Sequence, residues 1–181
     1  MKLRTLYQLK HVKRRTTVEE RKESPAEHSW SSLVLADYFL DRTQMKLDKL
    51  KVFQLLIYHD VVEIEAGDIP IHYVNRRKDK KETELKAMKK IAGDLPLLMQ
   101  KKYEELFLEF SDISSPEAGF AQAIDKLDAI LQALDNKVDW LGWDEKLLRK
   151  LHEHRFLPYP EIMQVFEDIV VYVKENGYFP T

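Results

Sequence analysis

The chain has no cysteine among its 181 residues. Disulfides, thiolate-held metals and cysteine nucleophiles are therefore excluded. Any metal site must be assembled from imidazole and carboxylate. The absence also fits a cytoplasmic location, which is the expectation here. Turn material is scarce, with 5 Gly and 7 Pro. That is unfavourable for a many-stranded β protein and natural for long helices. No apolar run approaches the roughly 18 residues of a membrane span; the longest are Leu55-Leu56-Ile57 and the stretch from Ile169 to Val173. Lys2, Arg4 and Lys10 precede no apolar stretch of the kind a secretory signal requires. Neither sign of charge prevails, since Lys+Arg total 29 against Asp+Glu 31, a net −2. A dedicated binder of nucleic acid polymers would be basic. A small anionic ligand at one local positive site stays compatible with this balance.

What the chain does contain is helix punctuation. Its length corresponds to about one domain at roughly 150 residues each, so residues 1–181 are expected to form a single domain. Leu3, Leu6, Leu9 and Val12 recur at near-helical spacing before a polar stretch from Arg15 to Glu23. Ser24-Pro25-Ala26-Glu27 reads as a helix start, with Ser24 as cap, Pro25 in the first turn and Glu27 completing a capping box. That helix should run to about Asp41 with Leu33, Val34 and Leu40 inward. A third helix is predicted from about Lys46 to Glu65, its stripe being Leu47, Leu50, Phe53, Leu56 and Ile57, and Gly67 should stop it.

Residues 68–78 read as a loop around Pro70. A charged helix follows, ended by Gly93, and another runs from Asp94 to about Phe110. Ser115-Pro116-Glu117 starts a long helix to about Leu134. Its apolar positions Phe120, Ile124, Leu127, Leu131 and Leu134 form one stripe. Two shorter helices are expected within residues 144–175. The predicted fold class is all-α, a single-domain helical bundle.

The residues that carry chemistry are His28, His59, Asp60, Glu63, Asp68 and Asp125. On a continuous third helix, His59 and Asp60 lie about 100° apart, and Glu63 shares their face. Ionisable groups interrupting an apolar helix are expensive to bury without partners, and a bound cation gives such a group a reason to persist. His28 sits in the first turn of its helix, and Asp125 flanks the buried stripe. If the helices converge, two imidazoles and two carboxylates can surround one divalent ion, Mn, Co, Mg, Fe, Ni or Zn. Spacing alone leaves Asp128 as a competitor to Asp125, because it shares the same helix side. A first-turn histidine and an adjacent His-Asp pair are each common without any metal.

The segments Glu23-Ser24-Pro25-Ala26-Glu27-His28-Ser29-Trp30, His59-Asp60-Val61-Val62-Glu63-Ile64-Glu65-Ala66-Gly67-Asp68 and Ile124-Asp125-Lys126-Leu127-Asp128 together resemble the HD-domain metal-dependent phosphohydrolase superfamily. Within it, the similarity is to the branch of small helical 5′-deoxynucleotidases and oxetanocin-like proteins. The likeness spans roughly residues 5–135, and the C-terminal helices carry no placeable motif.

The resemblance implies that His28, His59, Asp60 and Asp125 are metal ligands, and it selects Asp125 over Asp128. It puts Glu63 and Asp68 at the catalytic acidic positions without saying which is the base. It assigns substrate phosphate to Arg14, with Arg15 as fallback. Where the family usually follows that arginine with tryptophan, this chain has Arg15, Thr16 and Thr17. Trp30, Trp140 and Trp143 read as core or interface residues rather than ligand platforms. His72 could line the cleft, while His152 and His154 read as structural or surface residues.

The implied activity is divalent-metal-dependent hydrolysis of (deoxy)nucleoside 5′-monophosphates by a homodimer acting on a small-molecule nucleotide. Two alternatives stay open: a nucleotide pyrophosphohydrolase or triphosphohydrolase, and a non-catalytic helical module with a structural metal site.

Overall fold

A computed structural model describes residues 2–67 and 80–179. Eight α-helices lie among the described residues: α1 Pro25–Leu40, α2 Lys49–Tyr58, α3 Glu63–Ala66, α4 Lys80–Asp94, α5 Leu97–Asp112, α6 Pro116–Ala133, α7 Glu145–Phe156 and α8 Pro160–Glu175. A 3-10 helix, Lys2–His11, precedes them. None of the described helices is long and apolar enough to cross a membrane.

Local capping chemistry sets most of the starts. Ser24 accepts from the Glu27 N–H while the Glu27 carboxylate accepts from the Ser24 N–H, a complete capping box. Asp48, Ser115 and Asp144 cap α2, α6 and α7 through their side chains. The α6 stripe packs as its spacing predicts, with Phe120, Ile124 and Leu127 fully buried and Leu131 and Leu134 beside them. Val34, expected inward, is 55% exposed, and Leu50 and Ile57 of the α2 stripe also face solvent. The α1–α2 contact uses other positions instead, with Ala36 and Phe39 meeting Val52, Leu55 and Leu56.

Three elements differ from the sequence expectation. The third helix is not continuous. α2 ends at Tyr58, a tight turn follows through the Tyr58–Val61 and Asp60–Glu63 backbone bonds, and α3 starts at Glu63. His59 Nδ1 donates to the Leu56 carbonyl at 2.7 Å, the acceptor that residue 60 would use in an unbroken helix. Gly67 does close the segment, at φ 71°.

Second, Gly93 does not stop α4, which runs on to Asp94. The break comes at Pro96, which has no N–H to donate and disfavours helix at the residue before it. Third, the polar stretch after Arg14 contains a small antiparallel hairpin, Thr17–Val18 paired with Arg21–Lys22. Residues 68–78, with His72, lie outside the described residues.

Two apolar clusters form among the described residues. The larger joins α1, α2, α6, α7 and α8. The smaller packs Leu9, Val61 and Val62 against Met88, Ile91 and Leu95 of the α4 region and Tyr103 and Phe107 of α5. The His59–Glu63 turn lies where the two meet.

Because the capping box orients the first turn that carries His28, Ser24→Ala should cost about 1 kcal/mol of stability. A urea titration reads this as a lower midpoint at unchanged slope; an unchanged midpoint would show that the box contributes nothing.

Candidate metal centre and cavity

His28 enters the bundle from the first turn of α1 and is wholly buried. Both ring nitrogens meet carboxylates of α6: Nδ1 lies 2.7 Å from Asp128 Oδ2, and Nε2 lies 3.0 Å from Asp125 Oδ1. The two carboxylates are three residues apart on one helix, so they share a face. Ser31 Oγ donates to the same Asp128 oxygen at 2.8 Å. Burial alone would push the His28 imidazole down, and nearby Arg14 does the same. The hydrogen bonds to Asp125 and Asp128 outweigh both and raise its pKa to about 9. Without a cation at Nε2, the ring is therefore protonated and bridges two carboxylates.

His59 and Asp60 arrive from the α2–α3 turn. The His59 Nδ1–H is committed to the Leu56 carbonyl, so in the neutral ring Nε2 carries the lone pair. That Nε2 is buried and has no hydrogen-bond partner. It nevertheless lies 3.2 Å from Asp60 Oδ1 and 3.9 Å from Asp125 Oδ1. A lone pair facing two carboxylates is repulsive unless a cation or a proton lies between them. His28 Nε2 is 3.9 Å from the other Asp60 oxygen, and the rings of His28 and His59 meet edge-on at 5.3 Å. Ligand atoms of His28, His59 and Asp60 are close enough together to hold one ion, and Asp125 Oδ1 points into the same space. This donor set fits a divalent cation: two imidazole nitrogens, and two carboxylates supplying −2.

The carboxylates stay ionised despite burial. Burial would raise the Asp60 pKa, but His59, Arg14 and His28 together hold it well below the usual range. Burial likewise opposes ionisation of Asp125, and Lys126, His28 and His59 overcome it.

Arg14 is largely buried and bridges Asp60 to Glu23, with Nη1 2.8 Å from Asp60 and Nε 3.1 Å from Glu23. Burial disfavours its charge, but Asp60, Glu63, Glu23 and Asp125 together hold it firmly protonated. Thr16 and the hairpin complete this corner, because Thr16 Oγ1 also donates to Glu23.

A cavity of about 480 Å³ opens beside these groups. Arg14, His59, Asp60, Glu63, Asp125 and Lys126 line its polar end. Asp68, the second expected catalytic acid, lies outside the described residues. Arg15 lines the cavity too, and its Nη2 donates to the Leu141 carbonyl at 2.7 Å.

Sequence reasoning missed several partners. Asp128, passed over as a ligand, holds the far side of His28. Glu23, only 1% exposed, holds Arg14. Lys126 pairs with Asp125 at 2.7 Å. Glu23 and Lys126 stood inside the quoted motifs, but local spacing gives no sign of contacts made across the bundle. Trp140 and Trp143 are expected in the core or an interface and His152 as a structural or surface residue; Trp140 is indeed in the core at 2% exposure. All three line the cavity, while Trp140 also packs its ring on Tyr178 and Phe179.

The family described as HD domain matches residues 6–154. Mouse 5′-deoxynucleotidase HDDC2 is 34% identical over 143 residues, covering 75% of this chain and 70% of that protein. The Schizosaccharomyces pombe 5′-deoxynucleotidase hdd1 is 32% identical over 120 residues, 64% of this chain and 59% of its own length. A solved structure described as a predicted metal-dependent phosphohydrolase from Magnetospirillum magnetotacticum superposes with TM-score 0.89 at 27% identity. It covers 99% of this chain and 93% of its own.

Two expectations follow from the geometry. Asp128→Ala removes the acceptor that orients His28 and should weaken Mn binding about 10–100-fold, read by titration calorimetry. Equal affinity would mean that Asp128 does not orient the ring. The second concerns His152, whose surroundings are Lys126, Arg155, Asp125 and His154. Burial above all, then the charges of Lys126 and Arg155, lowers its pKa to about 3. The unfolded chain, with a normal histidine near 6.5, takes up the proton first. The associated stability is therefore full above about pH 6.5 and is lost progressively as pH falls toward 3. Urea midpoints at pH 7.5 and pH 5 should diverge more in the wild type than in His152→Leu.

Proposed function

As the chain belongs to the HD-domain family, we propose that it is a divalent-metal-dependent phosphohydrolase that releases phosphate from (deoxy)nucleoside 5′-monophosphates. The observation that carries this reading is the buried cluster of His28, His59, Asp60 and Asp125 at the polar end of a cavity large enough for more than a phosphate. Relatives named 5′-deoxynucleotidases give the substrate class.

In this reading His28, His59, Asp60 and Asp125 hold one divalent ion. His28 keeps its Nδ1–H on Asp128 and offers Nε2. When bound, such an ion polarises a phosphoryl oxygen and lowers the pKa of water. The chain's own residues do the rest. Arg14, fixed by Glu23 and Asp60, presents a preorganised guanidinium to the phosphoryl oxygens, and Lys126 adds a second positive charge beside Asp125. Glu63, on the cavity wall, accepts the proton of the attacking water or orients it. Asp68, outside the described residues, belongs to the same proposal as a second acid that helps hold the water or the leaving oxygen. A homodimer is also part of the proposal, supported by exposed Trp30 and Val34 four residues apart on α1; sedimentation velocity reads it directly.

Purified protein loaded with Mn, Co, Mg, Fe, Ni or Zn in turn should release phosphate from nucleoside 5′-monophosphates. Release of pyrophosphate or tripolyphosphate from longer nucleotides would instead favour the alternative hydrolase. His59→Ala and Asp60→Ala should abolish turnover. Arg14→Ala should lower kcat/KM by about 10²-fold or more, the scale of losing one preorganised charge-stabilising donor. Full activity in His59→Ala would overturn the mechanism.

A further inference from the structure

The cavity extends well beyond the residues that the proposed reaction uses. Asp125, Ala129 and Ala133 lie at steps of four on α6 and all line it, so the wall runs roughly 12 Å along the helix at 1.5 Å per residue. Small alanines at the two outer positions leave the space open. The facing wall comes from α7 and the turn before it, through Leu148, His152 and Trp143. This side of the cavity therefore offers aromatic and apolar surface in Trp143 and Leu148, with Arg155 and Asp139 also on its lining.

Three rings build this side. Trp143 lies 5.7 Å from His152 at 32°, and His152 lies 6.5 Å from Phe156 at 13°. Phe156 is fully buried, His152 is 4% exposed, and Trp143 is only half-buried. The stack thus presents its least enclosed ring at the cavity. Gly142, at φ 83°, makes the turn that delivers Trp143, and few residues other than glycine accept that backbone. The turn is anchored on the segment that carries Arg14. Arg15 donates to the Leu141 carbonyl, and Asp139 accepts from both the backbone N–H and the hydroxyl of Thr17.

His152 adds a polar handle beside Trp143, with Lys126 and Arg155 among its charged neighbours. Its Nδ1 is buried without a hydrogen-bond partner. A buried polar atom left unpaired costs stability and calls for an explanation. With its pKa lowered by burial, the ring stays neutral near pH 7 and can both donate and accept.

We propose that the cavity end formed by Trp143 and His152 binds the nucleobase of the substrate, Trp143 by stacking and His152 by a hydrogen bond. The proposal rests on the nucleotidase reading above and assigns specificity to residues that the chemical step does not touch.

The test compares deoxynucleoside 5′-monophosphates with 2-deoxyribose 5-phosphate, which carries the same phosphate and sugar but no base. The wild type should prefer the nucleotides, and Trp143→Ala should lower that preference about tenfold, the scale of one base–aromatic stack, mainly through KM. Trp143→Phe should stay near wild type, and its melting curve together with that of Trp143→Ala shows that both fold. His152→Leu should lose part of the preference and His152→Gln should retain more. Equilibrium dialysis of the same nucleotides against chelator-treated protein gives a readout that needs no turnover and should follow the same order.

A preference equal in wild type and Trp143→Ala would overturn the assignment, as would a wild type indifferent to the base. Parallel loss on nucleotide and sugar phosphate would show a structural role and likewise overturn it. Phosphate release from none of these esters would sink the nucleotidase reading itself, an outcome distinct from loss of base preference in an active enzyme.

Discussion

Both nitrogens of a fully buried imidazole are held between two carboxylates of one helix, and the rest of the centre depends on that clamp. Ionisable groups away from water persist only when paired, so His28 must find Asp125 and Asp128 for the fold to close. Helix α1 is thereby pinned to α6 at one rotation and one depth. The apolar surfaces of α1, α2 and α6 then pack around a polar contact that fixes their register. Ser31, one turn along α1, reaches the same Asp128 oxygen and reinforces the alignment.

A second layer of charge surrounds the first. Asp60 faces His59, His28 and Arg14, and Arg14 is in turn braced by Glu23. Removing any one of these leaves a buried partner uncompensated, so the set behaves as a network rather than a sum of pairs. The hairpin after the N-terminal 3-10 helix is part of this construction. The segment places Arg14 on Glu23, while Arg15 donates to the Leu141 carbonyl and Thr17 to Asp139. The proposed phosphate-binding arginine and the turn that delivers Trp143 are thus braced against each other.

What the sequence made legible was local. The Ser24 capping box, the helix start at Ser115-Pro116-Glu117 and the α6 stripe depend on neighbours within four residues, and each appears where its spacing predicts. The His59–Glu63 turn was not legible. Its residues retain helix-like periodicity, and the break arises where an imidazole takes the Leu56 carbonyl. Asp125 and Asp128 sit three residues apart on one face, so periodicity cannot say which of them meets Nε2 and which meets Nδ1. That distinction depends on where α1 crosses α6, a tertiary property. The same holds for Glu23, whose partner Arg14 is nine residues away across a hairpin, and for Trp143, which the α6–α7 packing turns toward the cavity.

Near-neutral total charge acquires a structural meaning in this arrangement. Carboxylates of Asp60, Asp125, Asp128, Glu23 and Glu63 are drawn toward one region, where they would repel a phosphate on their own. Arg14 and Lys126 offset part of that charge in place, and the imidazoles leave room for a further cation. Coulomb attraction between charges a few ångströms apart is far stronger in a shielded pocket than in water. The balance at the cavity therefore matters more to an incoming phosphate than the net −2 of the whole chain. An uncompensated acidic cluster would exclude the anion, and a purely basic one would trap polyanions indiscriminately. In the proposed reading, a carboxylate cage holding a divalent ion, with one fixed arginine at its rim, would admit a single phosphate and leave discrimination to the Trp143 side of the cavity.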